Sequence, residues 1–144
     1  MIAIACDHGG YLLKETVKKH LLDNGYAVKD FGTDSLESCD YPDYAAPAAQ
    51  AVASGACDKG IVICTTGIGV SMVANKIQGV RCALCSDLLS AEMTRRHNDA
   101  NMLAMGAGVI GQNLALAIVD KWLATEFEGG RHQRRVDKIT ALER

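Results

Sequence analysis

The sequence predicts an α/β protein in which helices cover both faces of a parallel β-sheet. Short runs that are apolar throughout, such as Ile2–Cys6 and Gly60–Cys64, alternate with longer stretches whose apolar residues recur at helical spacing. Strands that are apolar on both faces are typical of parallel sheets buried between helices. The length of 144 residues suits a single domain with a substantial core, which we expect to span residues 1–144.

The first half of the chain is predicted to hold three strands and two helices. Leu13, Val17 and Leu21 recur one helical turn apart, and Gly25 ends that helix. Pro42 suits the first turn of an alanine-rich helix. In chain order, the expected elements are a strand at 2–6, a turn at 7–10, the first helix, a strand at 26–31, a loop at 32–41, a helix from 42 to about 54, and a strand at 60–64.

The second half continues the alternation. Asp87 suits the cap of one helix, and a Gly129-Gly130 break separates the last two helices. The last helix carries an apolar stripe that suits docking on its own domain or on a neighbouring subunit equally well. The expected elements are a helix at 68–77, a strand at 80–85, a helix ending at 95–98, a strand at 102–105, an amphipathic helix that includes 114–123, and a helix at 131–143.

Composition and charge narrow the functional classes. A formal net charge of −2 and a pI of about 6.0 favour neither nucleic acid nor a membrane surface as a partner. No apolar run approaches the roughly 18 residues of a membrane-spanning helix. The apolar start of the chain meets Asp7 at once and lacks the basic residues and long apolar region of an export signal. We therefore expect a cytoplasmic protein.

The six cysteines are expected to be free thiols, because nothing in the sequence indicates export. Cys82 and Cys85 have the C-x-x-C spacing of a metal or redox pair. Residues three apart on a strand point to opposite faces, however, so the pair is interpreted as two core cysteines. No metal site is predicted.

The strongest candidate site follows the third strand. Cys64 ends that strand, and the small-residue turn Thr65–Gly69 leads into a helix. Backbone N–H groups at a helix N-terminus attract anions and favour a thiolate. Cys64 is therefore a candidate base or nucleophile, and a buried core cysteine is the alternative. The turn lacks a nucleotide-binding motif, so its anion is a small phosphate or an oxyanion that forms during a reaction.

Two further pairs could serve the same chemistry. Asp7 and His8 follow the first strand and should share an edge of the sheet with Cys64; a plain surface turn is the alternative. His97 and Asn98 end a helix and suit proton transfer and binding of a sugar hydroxyl, although a cationic helix cap would look the same.

A basic cluster opens the last helix. Arg131 and Arg135 lie one turn apart, with His132 beside them. Guanidinium groups donate hydrogen bonds in a rigid fork, which suits a phosphate clamp. A solvated basic face explains the same pattern.

Several separated motifs together resemble those of the family of type B ribose-5-phosphate isomerases and galactose-6-phosphate isomerase subunits. The resemblance covers essentially the whole chain. The motifs that carry it are Cys6-Asp7-His8-Gly9-Gly10, Asp40-Tyr41-Pro42, Cys64 to Ser71, Ala74-Asn75-Lys76, Arg95-Arg96-His97-Asn98 and Gly129-Gly130-Arg131-His132-Gln133.

The resemblance implies a Rossmann-like three-layer α/β/α sandwich with a five-stranded parallel sheet. It also implies a homodimer or homotetramer with active sites between subunits and no cofactor or metal. The implied reaction interconverts ribose 5-phosphate and ribulose 5-phosphate through a cis-enediolate. A six-carbon sugar phosphate, such as that of allose or galactose, and a non-catalytic sugar-phosphate binding module are the alternatives.

The resemblance further implies a role for each site residue. Cys64 matches the base, and His97 the proton donor that opens the sugar ring. The remaining positions match substrate-binding residues: Asp7, His8 and Asn98 for the ring oxygen and hydroxyls of the sugar, the amides of Thr65, Thr66, Gly67, Ile68 and Gly69 for the enediolate, Arg131 and Arg135 for the phosphate, and Tyr41 and His132 for the substrate in general.

Two positions depart from the family pattern. Thr65 stands where glycine is usual, so either the turn needs no positive φ at this position or the anion hole is reshaped. Gly108 stands where arginine is frequent, which is expected to weaken phosphate binding and broaden the range of sugars.

Overall fold

A computed structural model describes residues 1–143 and confirms the predicted three-layer α/β/α sandwich. All five strands pair in parallel, in the order β2-β1-β3-β5-β4. The elements are β1 Ile2–Cys6, a 3₁₀ turn His8–Gly10, α1 Tyr11–Asp23, β2 Val28–Asp30, α2 Pro42–Ala53, β3 Lys59–Cys64, α3 Ile68–Asn75, β4 Cys82–Leu84, α4 Leu88–Asn98, β5 Met102–Gly106, α5 Gln112–Ala124 and α6 Arg131–Thr140.

The sheet is buried between two apolar layers. Alternate strand residues face opposite ways, so Ile4 and Ile61 belong to the core beneath α1, α4 and α5, which Trp122 fills. Ala3 and Val62 face the other core, beneath α2 and α3. The small side chains of α2 let that helix lie close against the sheet. Among residues 1–143, no helix is long and apolar enough to cross a membrane.

The order of the strands places a crevice between β1 and β3. The chain leaves β1 toward β2 on one side and leaves β3 toward β4 on the other. Because the two crossovers diverge, α1 and α3 lie on opposite faces, and the carboxyl ends of β1 and β3 are left open between them. Ligands bind at such reversal points in open parallel sheets.

The predicted boundaries fail mainly at the two edge strands. The strand expected at 26–31 pairs only over Val28–Asp30, because the Tyr26 N–H still donates to Leu21 in the last turn of α1. The strand expected at 80–85 pairs only over Cys82–Leu84, because the Arg81 N–H donates to the side chain of Asn101. The third and sixth helices are shorter than predicted and end at residues 75 and 140.

The last helix docks on its own domain through its first half. Val136 is buried, whereas Ile139 and Leu142 are 46% and 80% exposed. One end of the apolar stripe is therefore covered by α4, and the other end is open.

The interpretation of the cysteines is confirmed. All six are free, and Cys85 lies in one core while Cys82 packs against the other. Burial raises the pKa of Cys82 to about 12 and that of Cys85 to about 11, and burial likewise raises the pKa of Cys6 to about 12. These three sulfurs stay protonated as parts of the core.

Candidate active site

Cys64 lies at the carboxyl end of β3, at the mouth of the crevice. The residue is 5% exposed, and its Sγ accepts a hydrogen bond of 3.1 Å from the N–H of Gly67. Gly67, with a φ of 78°, is the N-cap of α3. The sulfur therefore lies at the positive end of that helix. The sulfur is thus held by a donor and a helix dipole that both suit an anion.

The turn after Cys64 retains free donors. The Ile68 N–H is used internally, since it donates to the hydroxyl of Thr66 at 3.2 Å. Within residues 1–143, the backbone N–H groups of Thr65, Thr66 and Gly69 donate to no protein acceptor. Three of the five predicted amides are therefore left for an anion beside the sulfur.

Asp7 and His8 follow β1 and share the carboxyl edge of the sheet with Cys64, as predicted; they lie across the crevice from it. The Asp7 N–H donates to the carbonyl of Ile63 at 3.3 Å, which ties the ends of β1 and β3 together. The Asp7 carboxylate accepts the N–H groups of Gly9 and Gly10 at 2.9 and 3.1 Å. Asp7 is therefore a helix cap as well as a candidate ligand.

The hydrogen bond of His8 fixes the position of its proton. Its Nδ1 accepts the backbone N–H of Cys39 at 3.2 Å. An acceptor nitrogen carries no proton, so the ring proton is on Nε2. His8 therefore offers an N–H donor at the carboxyl edge of the sheet.

Tyr41 reaches the same turn. A side chain on Gly69 would lie 2.6 Å from the Tyr41 ring, so the ring packs directly on the first turn of α3. Thr65 fits its position without strain, because the positive φ of the turn falls on Gly67. Of the two alternatives for Thr65, the structure supports the first: the turn needs no positive φ at this position.

His97 and Asn98 lie at the opposite edge of the sheet. Helix α4 begins beside the carboxyl end of β4 and runs back to the amino end of β5, where these two residues end it. Arg81, just before β4, donates to the carbonyl of Asn98 at 3.0 Å and to that of Asp99 at 2.9 Å. These bonds fix the end of α4 at the amino edge.

The basic cluster lies beside His97. The rings of His97 and His132 are stacked, with centroids 4.2 Å apart and planes 13° from parallel. Burial, together with the nearby His97 and Arg131, lowers the pKa of His132. Arg131 and Arg135 are exposed, and neither has a carboxylate partner among residues 1–143. Two unpaired guanidiniums near the positive end of α6 suit a phosphate.

The predicted site residues thus form two groups. Asp7, His8, Tyr41 and the 64–69 turn share the carboxyl edge, which we call the thiol half-site. His97, Asn98, Arg131, His132 and Arg135 share the amino edge, which we call the basic half-site. The six residues of β3 separate the two edges by about 17 Å, at about 3.3 Å per residue. One sugar phosphate therefore cannot contact both half-sites of the same chain.

Sequence reasoning missed residues that organise the basic half-site. Glu128 lies between the two histidines, with Oε2 3.5 Å from Nε2 of His132 and Oε1 3.9 Å from Nε2 of His97. Buried Arg95 bonds the carbonyls of Thr125 and Ala100 and so joins α4 to the end of α5. Only the four-residue spacing of Glu128 and His132 could have been noticed in the sequence.

Comparison with known proteins places these residues in a family. The sequence profile of the ribose/galactose isomerases matches residues 2–139. This chain belongs to the ribose/galactose isomerase family. Within the family, it is 52% identical over 142 residues to ribose-5-phosphate isomerase B of Escherichia coli, covering 99% of this chain and 95% of that protein.

Solved structures of ribose/galactose isomerases share the whole fold. Ribose-5-phosphate isomerase B of Clostridium thermocellum superposes with a TM-score of 0.97 at 55% identity, covering 98% of this chain and 95% of that one. The enzyme of Mycoplasma genitalium, determined with bound ribulose 5-phosphate, gives a TM-score of 0.94 at 41% identity, covering 97% and 93%.

Proposed function

We propose that this family member is an aldose–ketose isomerase that interconverts ribose 5-phosphate and ribulose 5-phosphate. The observation that carries the proposal is the sulfur of Cys64, held by the Gly67 N–H at the start of α3 and followed by a turn with free amides. The names of the relatives at 52% and 55% identity support the same substrate.

The thiol half-site suits the transfer of a proton between neighbouring carbons. In the opened aldose, the Cys64 thiolate removes the proton from C2, and the electron pair moves through the C1–C2 bond onto the oxygen of C1. The free amides of the turn stabilise this enediolate oxygen. The thiol then returns its proton to C1, and the proton of the C2 hydroxyl moves to the C1 oxygen, which leaves the ketose.

The basic half-site suits the remaining tasks. Arg131 and Arg135 bind the phosphate, whose remote binding energy positions the reacting carbons. His97 protonates the ring oxygen as the furanose opens, while Asn98 binds a hydroxyl. His8, whose Nε2 carries its ring proton, adds a hydrogen bond to the sugar from the thiol half-site.

The separation of the half-sites leads us to propose a homodimer, alone or paired into a tetramer, in which the basic half-site of one subunit faces the thiol half-site of the other. A two-fold axis makes two such sites at once. Exposed apolar residues on α3, on α4 and just after α6 support an interface on this part of the surface: Ile68, Met72, Leu88, Leu89 and Leu142. We place the enzyme in the cytoplasm, in keeping with its free cysteines.

The base assignment is tested with Cys64→Ala and a matched control, Cys82→Ala. The enzyme is incubated with ribose 5-phosphate in deuterated water, and incorporation of deuterium from solvent is measured alongside ketose formation. We expect both signals to disappear in Cys64→Ala and to persist in Cys82→Ala, with both proteins folded by circular dichroism. Undiminished turnover in Cys64→Ala would exclude this cysteine as the base.

A six-carbon sugar phosphate is the second candidate, favoured by one observation. Gly108 stands where relatives of this family frequently carry an arginine, and it offers no side chain to the substrate. It lies against Thr65, so that a Cβ built on Gly108 would be 3.0 Å from the Thr65 methyl. Values of kcat/KM for five- and six-carbon sugar phosphates separate the two. A preference for allose or galactose 6-phosphate would replace the pentose, and binding of all sugars without conversion would indicate a non-catalytic module.

A further inference from the structure

Three side chains at the amino edge bring their ligand atoms close together. They come from separate segments: His97 from the end of α4, Glu128 from the loop before α6, and His132 from the first turn of α6. All three ligand atoms lie within 4.8 Å of one another. The carboxylate oxygens are 3.5 and 3.9 Å from the two Nε2 atoms, which is longer than an ordinary hydrogen bond.

His132 provides an independent sign that a ligand is needed. Its side chain is 8% exposed, and its Nε2 is fully buried without a hydrogen-bond partner among residues 1–143. Buried polar atoms in folded proteins almost always have a partner. This nitrogen faces Glu128 and the His97 ring, so a bound ion at that point would satisfy it.

We propose that His97, Glu128 and His132 form a binding site for a transition-metal ion of the zinc class. Two imidazoles and one carboxylate are a common zinc ligand set, and they leave a fourth position open for water. Bonds of about 2.0 Å place tetrahedral ligands about 3.3 Å apart, close to the separations in the structure. Imidazole nitrogens also favour zinc over magnesium or calcium.

Small side-chain movements would complete the site. His97 and Glu128 are 41% and 42% exposed, so both can rotate, whereas His132 is fixed by burial. The lone pair of an imidazole lies in the plane of its ring. His97 must therefore tilt out of its stack on His132 before both rings can bind the same ion.

The ion would inhibit the enzyme. A metal-bound His97 nitrogen cannot hand a proton to a sugar, and the tilt moves the ring from its place beside Arg131. This consequence rests on the proposed function, whereas the binding of the ion does not. The ion at this site would thus be an inhibitor, because the proposed reaction uses no catalytic metal.

Binding is tested by titrating Zn²⁺ into chelator-treated, full-length protein in a calorimeter. Glu128→Gln keeps the shape of the side chain and removes its charge, and Glu126→Gln is the matched control on the same exposed loop. We expect Glu128→Gln to weaken zinc binding at least about tenfold and Glu126→Gln to leave zinc affinity and isomerase activity unchanged. Thermal denaturation without metal checks that both variants fold.

Cobalt identifies the ligands, because six cysteines could compete for the ion. Co²⁺ bound by nitrogen and oxygen gives visible bands without the intense near-ultraviolet band of a thiolate ligand. Equal affinity in wild type and Glu128→Gln, or a cobalt spectrum that contains the intense thiolate band, would overturn the proposal. If the protein binds zinc but converts no sugar phosphate, the metal site stands and the proposed function is wrong. If the protein is an active isomerase but binds no zinc, the proposed function stands and the metal site is wrong.

Discussion

The hydroxyl of Thr65 lies where a side chain on Gly9 would have to be. A Cβ built on Gly9 overlaps Thr65 Oγ1, so the turn after β1 and the turn after β3 are in direct contact. Gly108 approaches Thr65 from the turn after β5, and a Cβ on Gly108 would lie 3.0 Å from the Thr65 methyl and 3.1 Å from the Thr65 carbonyl oxygen. Thr65 thus fills a slot between two glycines, one residue after the candidate base.

This contact predicts coupling between positions 9 and 65. Gly9→Ala should push Thr65 and the Cys64 turn aside, lower stability by about 1–3 kcal/mol through overpacking, and reduce kcat. Adding Thr65→Gly removes the clash, so the double variant should recover most of the stability. Urea denaturation and kcat of the four proteins in a double-mutant cycle measure the coupling. Additive effects would show that the two turns do not constrain each other.

The proposed sharing of active sites between subunits predicts complementation between two inactive variants. In the proposed mechanism, Cys64→Ala lacks the base and His97→Asn lacks the proton donor, so each variant alone should be inactive. In mixed dimers, one site combines the intact Cys64 of one subunit with the intact His97 of the other, so isolated heterodimers should regain about half of wild-type activity per dimer. Activity is assayed on heterodimers isolated with two different affinity tags. Heterodimers as inactive as their parents would contradict the shared site.

The proposed phosphate clamp predicts different effects for neighbouring arginines of α6. Arg131→Ala and Arg135→Ala should each raise KM for ribose 5-phosphate about tenfold to a hundredfold, the equivalent of about 1.5–3 kcal/mol for a charged hydrogen bond. Arg134→Ala, on another face of the same helix, is the matched control and should change KM little. A panel of free and phosphorylated sugars checks the cause, because the free sugars should not distinguish the variants.

Asp30 predicts how stability depends on pH. Burial alone would raise its pKa, but hydrogen bonds from Lys14, Lys18 and the Gly32 N–H outweigh burial and lower it. Lys14 is itself fully buried and also donates to the carbonyl of Thr33. Because the folded-state pKa is lowered, the stabilisation is present above the ordinary value of about 3.9 and is lost as pH falls through the lower folded value.

Asp30→Asn should therefore be less stable than wild type at pH 7 and similar to it in strong acid. Urea denaturation at several pH values measures the difference. Asp34→Asn, at an exposed position on the following loop, is the control and should follow wild type throughout. A difference that stayed constant down to pH 2 would show that the Asp30 ion pairs do not account for it.

The repeating features of the fold could be predicted from the sequence. Continuous apolar runs and helical spacing identified five parallel strands and the helices between them, because both periods are local properties of the chain. The opposite faces of Cys82 and Cys85 followed from the same geometry. Edge strands were predicted too long, since hydrogen bonds from Arg81 and Tyr26 to other elements set where pairing stops.

The arrangement of the site was only partly predictable. The edge shared by Asp7 and Cys64 followed from parallel topology. The contact between Glu128 and His97 did not, because it depends on how α6 folds back onto α4 across a Gly-Gly break. The use of the Asp7 carboxylate as a cap likewise depends on two backbone N–H groups whose directions the residue types do not specify.

Placing the reactive sulfur and the histidine at opposite ends of the same strands has a consequence for newly made chains. If two copies complete the proposed site, a freshly folded monomer carries two incomplete halves and has no place where an aldose phosphate could be enolised. Assembly itself would then switch the catalyst on, and dilution would silence it without unfolding either copy.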